Sequence, residues 1–406
     1  MLRPAIIILL AVAAAAIISQ ACVAEQPSED WKRQVGAFVS ASPVFQSNML
    51  FVGTWDGNLY GIMTSTGEPQ WTFKAGSAIT AAPAIYDWTL YFGTSSGKVY
   101  AVDGRSGVKK WEYQASANVD CTPVVYNGLI FFGSDDGTLY ALDASTTAEQ
   151  WKFNTSGIVS NALEAYDNTI YFGSQDGKLY AIDTYSGKSR WSSPLESKVY
   201  APAMYNGMLI VGTEDGHVHA LDPISGNVQW SYRMDGMATS RPLCKLGYAY
   251  VGSQDGNLYA LNASNGKLAW KYPTGGQIKA TPGFDAGVVY AGSGDGSLYA
   301  VDSKFGLPYW KFEAGSSVDT TPTVSGGRLF FASLDGKVYS LKLPSSLTMI
   351  TPTPTPKPVV TPTGQAPTPT LVPLPCPTPE PPSWCPLPGI LGAAAVALGL
   401  VAIRRR

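Results

Sequence analysis

Short apolar segments alternate with polar turns along most of the chain. In one unit, the apolar run LIFFGS (residues 129–134) is typical of a buried strand, and the turn DDG (135–137) follows it. TLYALD (138–143) then alternates like the returning strand of a hairpin, and QWKF (150–153) is a further strand. TPVV (122–125) precedes the unit as an inner strand. The pattern predicts four strands in about forty residues, which is one propeller blade.

This unit recurs eight times. Each copy is associated with one tryptophan strand, and successive tryptophans are 39 or 40 residues apart. The eight are Trp31, Trp71, Trp111, Trp151, Trp191, Trp230, Trp270 and Trp310. An Asp-Gly turn recurs at the same interval in seven copies, and Ser96-Gly97 replaces it in the second copy. The sequence therefore predicts an all-β fold, an eight-bladed β-propeller of four-stranded blades.

The two ends of the repeat region predict how the ring closes. The last copy has no tryptophan strand after it, whereas Trp31 precedes the first copy. We therefore expect the N-terminal strand to complete the final blade. This arrangement joins the chain ends and removes an exposed sheet edge.

The repeat motif also indicates a family. GSQDGNLYAL (residues 252–261), followed by GKLAW (266–270), resembles the PQQ-type repeat of BamB-like proteins and quinoprotein dehydrogenases. The resemblance covers residues 31 to 343. It implies that each outer-strand tryptophan docks against the neighbouring blade, so that the eight indoles form a girdle around the ring.

The segment before the predicted propeller (residues 25–343) is typical of a signal peptide. In residues 1–24, Arg3 precedes a long apolar run, and small residues follow that run. Cleavage after Ala21 would make Cys22 the first mature residue, as in a lipoprotein, whereas cleavage after Ala24 would remove it. Either way, the sequence predicts an exported protein.

Two further segments follow the propeller. Residues 344–388 are rich in Pro and Thr, which predicts a disordered, extended stalk. Residues 389–406 form a short apolar tail that ends in three arginines, and its helix of about 22 Å would fall short of a ~30 Å hydrocarbon core. The tail is either a membrane anchor or a processed sorting signal.

The tail also resembles a known surface-anchoring signal. Pro388-Gly389-Ile390, the apolar run and the terminal arginines resemble the archaeal PGF-CTERM signal, in which Phe stands at the position of Ile390. The resemblance implies attachment at the cell surface of an archaeal envelope, with the tail either removed by an archaeosortase or retained.

The amino-acid composition limits the classes of partner that the protein is expected to bind. Only 14% of the residues are charged, 12% are aromatic, and the formal net charge is −2, a balance that suits an exported β-rich protein. No basic stripe runs along the chain, which argues against a nucleic-acid surface. We expect a monomer that binds an envelope protein or a glycan and reaches the membrane through its C-terminal tail.

The candidate ligand site is the mouth of the central channel, which the residues just before each inner strand should line. Small residues occupy most of these positions, and four charged residues depart from the pattern. The four are Asp120, Arg241, Lys279 and Asp319. They form either a mixed-charge ring for a ligand or a set of solvated loop charges that pair with one another.

The resemblance to quinoprotein dehydrogenases implies a catalytic site that this sequence does not reproduce. That family holds PQQ under a disulfide between adjacent cysteines, binds calcium through Glu and Asn, and uses an Asp as base. Here the cysteines are at positions 22, 121, 244, 376 and 385, so none are adjacent. All repeats are 39 or 40 residues long, so the chain lacks the long insertions that build the active sites of those dehydrogenases. We therefore predict no catalytic residue and no cofactor.

Two smaller features have alternative interpretations. His217 and His219 lie two apart on one strand, either as a metal pair or in the slots that Lys and Tyr fill in the other copies, and no third ligand is visible. We therefore predict no metal site. Trp55 and Trp88 lie in or near hairpin loops, either as exposed binding residues or as half-buried plugs.

The sequence supports three functions. The first is a non-catalytic binding or scaffold protein at the cell surface. The alternatives are a PQQ-dependent dehydrogenase and a BamB-like envelope assembly factor. Missing active-site residues count against the enzyme, and a C-terminal anchor counts against the assembly factor, because BamB-like proteins are tethered at an N-terminal lipid. Cys121 and Cys244, on inner strands of distant blades, are expected to be buried and free.

Overall fold

The computed structural model describes residues 25–344. This part of the chain contains 32 strands in eight separate antiparallel sheets of four strands each. In chain order the strands are β1 (Ser28–Gln34), β2 (Val44–Gln46), β3 (Met49–Gly53), β4 (Asn58–Met63), β5 (Pro69–Lys74), β6 (Ala84–Tyr86), β7 (Thr89–Gly93), β8 (Lys98–Asp103), β9 (Lys109–Gln114), β10 (Val124–Tyr126), β11 (Leu129–Gly133), β12 (Thr138–Asp143), β13 (Glu149–Asn154), β14 (Glu164–Tyr166), β15 (Thr169–Gly173), β16 (Lys178–Asp183), β17 (Ser189–Pro194), β18 (Ala203–Tyr205), β19 (Met208–Gly212), β20 (His217–Leu221), β21 (Val228–Arg233), β22 (Leu243–Lys245), β23 (Tyr248–Gly252), β24 (Asn257–Asn262), β25 (Leu268–Pro273), β26 (Gly283–Asp285), β27 (Val288–Gly292), β28 (Ser297–Asp302), β29 (Pro308–Glu313), β30 (Thr323–Ser325), β31 (Arg328–Ala332) and β32 (Lys337–Lys342).

Each sheet is one blade of a propeller ring. Blades 1 to 7 each take four consecutive strands, from β2–β5 through β26–β29. Blade 8 has the order β1-β32-β31-β30, with Trp31 of β1 opposite Ser340 of β32. The predicted eight-bladed, all-β propeller is therefore confirmed, including its closure by the N-terminal strand.

The predicted signal peptide, stalk and tail lie outside the described residues. Between residues 25 and 344, no helix has the length and hydrophobicity needed to cross a membrane.

The strand order gives the ring two faces. On the upper face, turns join the second strand of each blade to the third, and the outer strand leads to the inner strand of the next blade. On the lower face, hairpins join the first and second strands, and turns join the third and fourth.

The hydrophobic core lies between neighbouring blades. One cluster combines Phe131 and Leu139 of blade 3 with Phe172 and Ile182 of blade 4, all of them buried. Because both surfaces of the second strand are covered, β7 is buried along its whole length and reads as a continuous apolar run. The outer strands alternate between exposed and partly buried residues, which explains their polar character.

The recurrent Asp-Gly turns are stabilised by the aspartate itself. In blade 3, Asp136 Oδ1 accepts the backbone N–H of Thr138 at 2.9 Å, and Oδ2 accepts the Tyr140 hydroxyl at 2.9 Å. The hydroxyl–carboxylate pairs are Tyr140–Asp136, Tyr180–Asp176, Tyr259–Asp255, Tyr299–Asp295 and Tyr339–Asp335. Turn chemistry thus accounts for the repeated aspartate.

The tryptophan girdle ties each blade to the next. Seven indole N–H groups donate to a backbone carbonyl in the lower turn of the following blade, at 2.8 to 3.1 Å. The pairs are Trp31–Thr64, Trp71–Gly104, Trp111–Ala144, Trp151–Thr184, Trp191–Pro223, Trp230–Ala263 and Trp270–Ser303. Trp310 Nε1 has no acceptor within residues 25–344, because β32 leads out of blade 8 instead of turning into a fourth strand.

The lower turns that accept the indole hydrogen bonds contain a residue with left-handed backbone. At Gly107, φ is 71°, and an added Cβ would lie 2.7 Å from the Trp71 ring. Blade 3 instead has Thr147, with φ of 62°, at the equivalent position beside Trp111. A β-branched residue in this region is strained, because its side chain clashes with the neighbouring backbone.

We expect Thr147→Gly to raise the free energy of unfolding by about 1 kcal/mol, because glycine relieves this strain. Urea unfolding of the two proteins measures the difference. The reverse substitution in blade 2, Gly107→Thr, is the matched control and should lower stability. A Thr147→Gly protein less stable than the wild type would contradict the assignment of strain.

Candidate functional site

The upper face of the ring opens into an axial cavity of about 670 Å³, which residues from all eight blades line. The lining comes from the segments that enter the inner strands, and most of it consists of Ser, Thr and Ala. The charged residues that the sequence singled out all lie in this lining. They are Asp120, Arg241, Lys279 and Asp319. The structure therefore brings the four predicted residues together around one cavity.

These four side chains occupy two positions of the repeat. Asp120, Lys279 and Asp319 each stand three residues before the proline of their own repeat, whereas Arg241 stands directly before Pro242. Arg241 therefore occupies the second position, two residues after the first. In blade 3 this position holds the hydroxyl residue Thr122.

The three residues at the first position have polar partners. Asp120 accepts hydrogen bonds from the Thr80 hydroxyl at 2.8 Å and the Ser95 hydroxyl at 2.9 Å. Asp319 Oδ2 lies 3.4 Å from Lys279 Nζ, which belongs to the adjacent blade. The Lys279 side chain is 47% exposed, so this ion pair contributes little stability and leaves the ammonium accessible.

A further carboxylate, which the sequence analysis did not single out, adds to the mouth. Asp135 lies in the upper turn of blade 3, and burial together with the negative charge of Asp120 raises the pKa of Asp135. Blade 3 stands opposite blade 7 in a ring of eight, so these two carboxylates and Lys279 lie on opposite sides of the mouth. The mouth therefore carries an asymmetric charge distribution.

Arg241 forms an ion pair that sequence reasoning missed. Its guanidinium binds the carboxylate of Glu164, the first residue of β14. The partners belong to blades 6 and 4, so the pair spans blade 5. Burial raises the pKa of Glu164, and the neighbouring Arg241 charge opposes that rise.

A sequence signal for this pair does exist. Seven inner strands follow a proline directly, whereas Leu163 takes the place of the proline in blade 4. Glu164 then occupies a position where the other blades have Val, Ala, Leu, Gly or Thr. A carboxylate at an otherwise uncharged position next to the channel axis needs a cation, which Arg241 supplies.

The lining does not fit a PQQ–calcium site. Glu164 and Asn161 are of the residue types that bind calcium in quinoprotein dehydrogenases. However, Glu164 is paired with the Arg241 cation, which repels a second cation, and Asn161 Nδ2 donates to the Val199 carbonyl at 3.3 Å. No two cysteines of the sequence are adjacent, so the disulfide that covers PQQ cannot form.

The two histidines lie on the same strand face, as expected. Their rings stack with centroids 5.5 Å apart, and His217 Nδ1 is 2.8 Å from Asp215 Oδ2. His219 Nδ1 is 2.7 Å from the Ser231 hydroxyl, and burial lowers the pKa of His219 to about 4. Within the described blades, no three His, Cys, Asp or Glu side chains converge as metal ligands.

The two loop tryptophans differ in their surroundings. Trp55 is 53% exposed on the upper face, and its indole N–H donates to the Ser40 hydroxyl of the cavity lining at 2.7 Å. Trp88 is partly buried on the lower face, where the Arg105 guanidinium lies 4.5 Å from its ring centroid. Trp55 is therefore the exposed aromatic residue of the mouth, and Trp88 is a plug.

Both described cysteines are free, as predicted. Cys121 is buried just before β10, and burial raises the pKa of its thiol to about 12. Cys244 lies on β22 and is only partly buried, so the expectation of burial was wrong for this residue. The inner strands face the open axial cavity, which the repeat pattern alone does not show.

Comparison with solved structures identifies relatives of the fold. BamB from Moraxella catarrhalis superimposes with a TM-score of 0.68 at 19% identity, covering 78% of this chain and 100% of that chain. The computationally designed Ika8 protein gives 0.72 at 19% identity, with 78% and 100% coverage. Quinohemoprotein alcohol dehydrogenase ADHIIG from Pseudomonas putida HK5 gives 0.66 at 15% identity, with 82% and 78% coverage.

At these identities the superpositions establish the fold alone. No curated protein sequence matches this chain. The family model described as outer membrane protein assembly factor BamB matches residues 19–165, 135–282 and 274–344. Because these matches together run from residue 19 to residue 344, the chain belongs to the family described as outer membrane protein assembly factor BamB.

Proposed function

We propose that this chain is a non-catalytic binding protein of the cell envelope, exported and held at the cell surface, whose upper mouth receives a segment of an envelope protein. The observation that carries the proposal is Trp55, an exposed indole fixed at the rim of the axial cavity by its bond to Ser40. Exposed tryptophans beside a cavity are frequent energetic centres of protein interfaces.

The charges of the mouth support the same function. Asp120 and the Lys279–Asp319 pair offer acceptors and one accessible ammonium at fixed positions, which suits recognition of a polar segment. Asp120 is bonded to two hydroxyl groups, and Lys279 and Asp319 pair with each other. The segments that lead into the inner strands hold these groups at preformed positions, which lowers the conformational entropy cost of binding.

A photoreactive side chain at the mouth tests the proposal. The residue is introduced in place of Trp55 in the full chain, and in place of Gln70 on the exposed outer strand β5 as the matched control. Irradiation of the native envelope should yield one discrete adduct from position 55 and none from position 70. Adducts of equal yield from both positions would contradict recognition at the mouth.

The affinity for the captured protein measures how much Trp55 contributes to the binding free energy. Trp55→Ala should weaken binding by about 2 kcal/mol, roughly thirtyfold in Kd, whereas Gln70→Ala should leave Kd unchanged. A visible quinone absorbance with calcium-dependent dye reduction by the purified chain would instead favour a quinoprotein dehydrogenase.

The family membership supports a second candidate, an envelope assembly factor. The proposed role of docking platform is common to both candidates, and the identity of the cross-linked protein separates them. A component of outer-membrane protein assembly in the adduct would favour the assembly factor.

A further inference from the structure

Two pockets on the lower face repeat the same side chains. The first lower pocket, about 490 Å³, lies between blades 2 and 3, and the second, about 340 Å³, lies between blades 4 and 5. Corresponding lining residues are 79 or 80 positions apart. They include Tyr86 and Tyr166, Asp87 and Asp167, and Lys110 and Arg190. Both volumes fall within the range of small-ligand sites, about 300 to 1,000 Å³.

A threonine begins the second strand of blades 2 and 4 and lines each pocket. Thr89 and Thr169 are buried in the pocket walls. Five of the other six blades have larger residues at the same position, and blade 7 has a valine, which is close to threonine in size. The six residues are Met49, Leu129, Met208, Tyr248, Val288 and Arg328. Blades 2 and 4 therefore share a threonine at a position where no other blade has one.

The hairpins beside the pockets lack glycine at the second corner, as does the Ser47-Asn48 hairpin of blade 1. Asp87-Trp88 and Asp167-Asn168 place non-glycine residues at both corners, with φ between 44° and 56°. Five other blades have glycine at the second corner. These glycines are Gly128, Gly207, Gly247, Gly287 and Gly327. Of the two residues at the second corner, Asn168 tolerates this backbone, whereas Trp88 is unusual there.

The pocket walls define the chemistry of a ligand. The rings of Tyr86 and Tyr166 are 57% and 50% exposed, so each pocket offers an aromatic face. Lys110 Nζ donates to the Thr89 hydroxyl at 2.6 Å, and Arg190 donates to Asp183 at 2.8 Å. Each pocket therefore places a cationic donor near an aromatic face.

Carboxylates complete each pocket. Asp87 and Asp143 line the first pocket, and Asp167 and Asp222 line the second. An anionic ligand would meet these carboxylates, and a cationic ligand would meet Lys110 or Arg190. A neutral ligand with hydroxyl groups and one apolar face satisfies donors, acceptors and the ring together.

We infer that the two lower pockets are equivalent subsites for a neutral saccharide, each stacking one pyranose ring on its exposed tyrosine. This inference goes beyond the proposed function, because it concerns the opposite face of the ring and a different class of ligand. Two subsites on one face also favour a repeating glycan over a free sugar, since the second contact forms at high effective concentration.

Titration of the full chain with methyl glycosides of glucose, galactose, mannose and N-acetylglucosamine tests the inference. By calorimetry or ligand-observed NMR, at least one should bind with two molecules per chain. Tyr166→Ala should reduce this to one, and Tyr86→Ala with Tyr166→Ala should abolish binding. Tyr185→Ala, which removes an exposed lower-face tyrosine outside both pockets, is the matched control and should keep two.

A second pair of variants separates binding from folding. Thr89→Leu and Thr169→Leu introduce the residue that blade 3 carries at Leu129, so they should fill the pockets, abolish sugar binding and leave thermal unfolding unchanged. On a surface coated with the oligosaccharide of the bound sugar, Tyr166→Ala alone should weaken retention about a hundredfold.

Two results would overturn the inference: no glycoside of the panel bound by the wild type, or two sugars still bound by the double tyrosine variant. Trp55→Ala at the upper mouth should leave sugar binding unchanged. Failure of the saccharide subsites is therefore distinguishable from failure of the proposed protein-binding function.

Discussion

Removal of residues 25–38 is expected to lower the free energy of unfolding by at least about 5 kcal/mol, far more than the loss of an ordinary terminal segment. The deletion takes away β1, the outer strand of blade 8, and leaves β32 as an open edge. It also removes Trp31, whose indole N–H donates to the Thr64 carbonyl of blade 1 at 2.9 Å. Trp31 is partly buried, so its loss alone should cost less than the roughly 3 to 5 kcal/mol typical of a fully buried tryptophan, and the lost strand pairing adds to it.

Ion pairs of β1 also stabilise its contact with the rest of the ring. Asp30 lies 2.7 Å from Arg328 Nε and 2.8 Å from Lys342 Nζ, and hydrogen bonds from these two cations lower the pKa of Asp30. Arg33 donates to the Gly67 carbonyl of blade 1 at 2.9 Å. The N-terminal strand therefore binds to both blade 8 and blade 1.

Thermal and urea unfolding measure this effect. A chain that lacks only Glu25 is the matched control, because Glu25 is exposed and precedes β1, and its stability should equal that of the wild type. Trp31→Ala should fall between the two deletions. The inner strands give blades 8 and 1 a second link, since Thr321 donates its backbone N–H to Ser42 Oγ at 2.9 Å. If this link alone closed the ring, both deletions would unfold at the same midpoint.

The closed ring was predictable because its determinants are local and repeated. A tryptophan every 39 or 40 residues and an Asp-Gly turn between them fix the strands, and the unpaired Trp31 fixes the closure. The repeat pattern could not show that, within the part of the chain that the structure describes, the Trp310 indole N–H lacks the acceptor that the other seven indoles have. Its acceptor would belong to a turn that blade 8 lacks, and this follows from where the chain enters and leaves the ring.

The site was predictable only in its residue types. Asp120, Lys279 and Asp319 depart from a small-residue position, so the sequence shows them directly. The partner of Arg241 is 77 residues away and two blades distant, and such a contact depends on how the ring curves. The lower pockets were hidden for a related reason. Threonine is an ordinary strand residue, so the sequence does not show that Thr89 and Thr169 line pockets between blades.

Replacement of Arg241 by threonine, the residue at the equivalent position in blades 3, 7 and 8, is expected to lower the free energy of unfolding by about 2 kcal/mol at pH 7. The variant leaves the buried Glu164 carboxylate without its cation. The loss is smaller than the 3 to 5 kcal/mol typical of fully buried pairs, because the Arg241 side chain remains 34% exposed.

This destabilisation should depend on pH in a defined direction. Burial raises the pKa of Glu164 above its ordinary value of 4.5, so its contribution to stability is fully present below that value and is lost as pH rises through the folded pKa. Without Arg241 the pKa of Glu164 rises further. The difference between Arg241→Thr and the wild type should therefore be smallest near pH 4 and grow toward pH 7.

Urea unfolding at both pH values measures this dependence. Glu164→Ala combined with Arg241→Thr should recover most of the loss, because alanine occupies the position of Glu164 in blades 2 and 5. Lys279→Thr is the matched control for an exposed pair, and it should cost less than about 1 kcal/mol at either pH. An equal loss at pH 4 and pH 7, or a double variant as unstable as Arg241→Thr, would show that Glu164 does not need the arginine. The ion pair would then be a consequence of the ring's closure and not one of its supports.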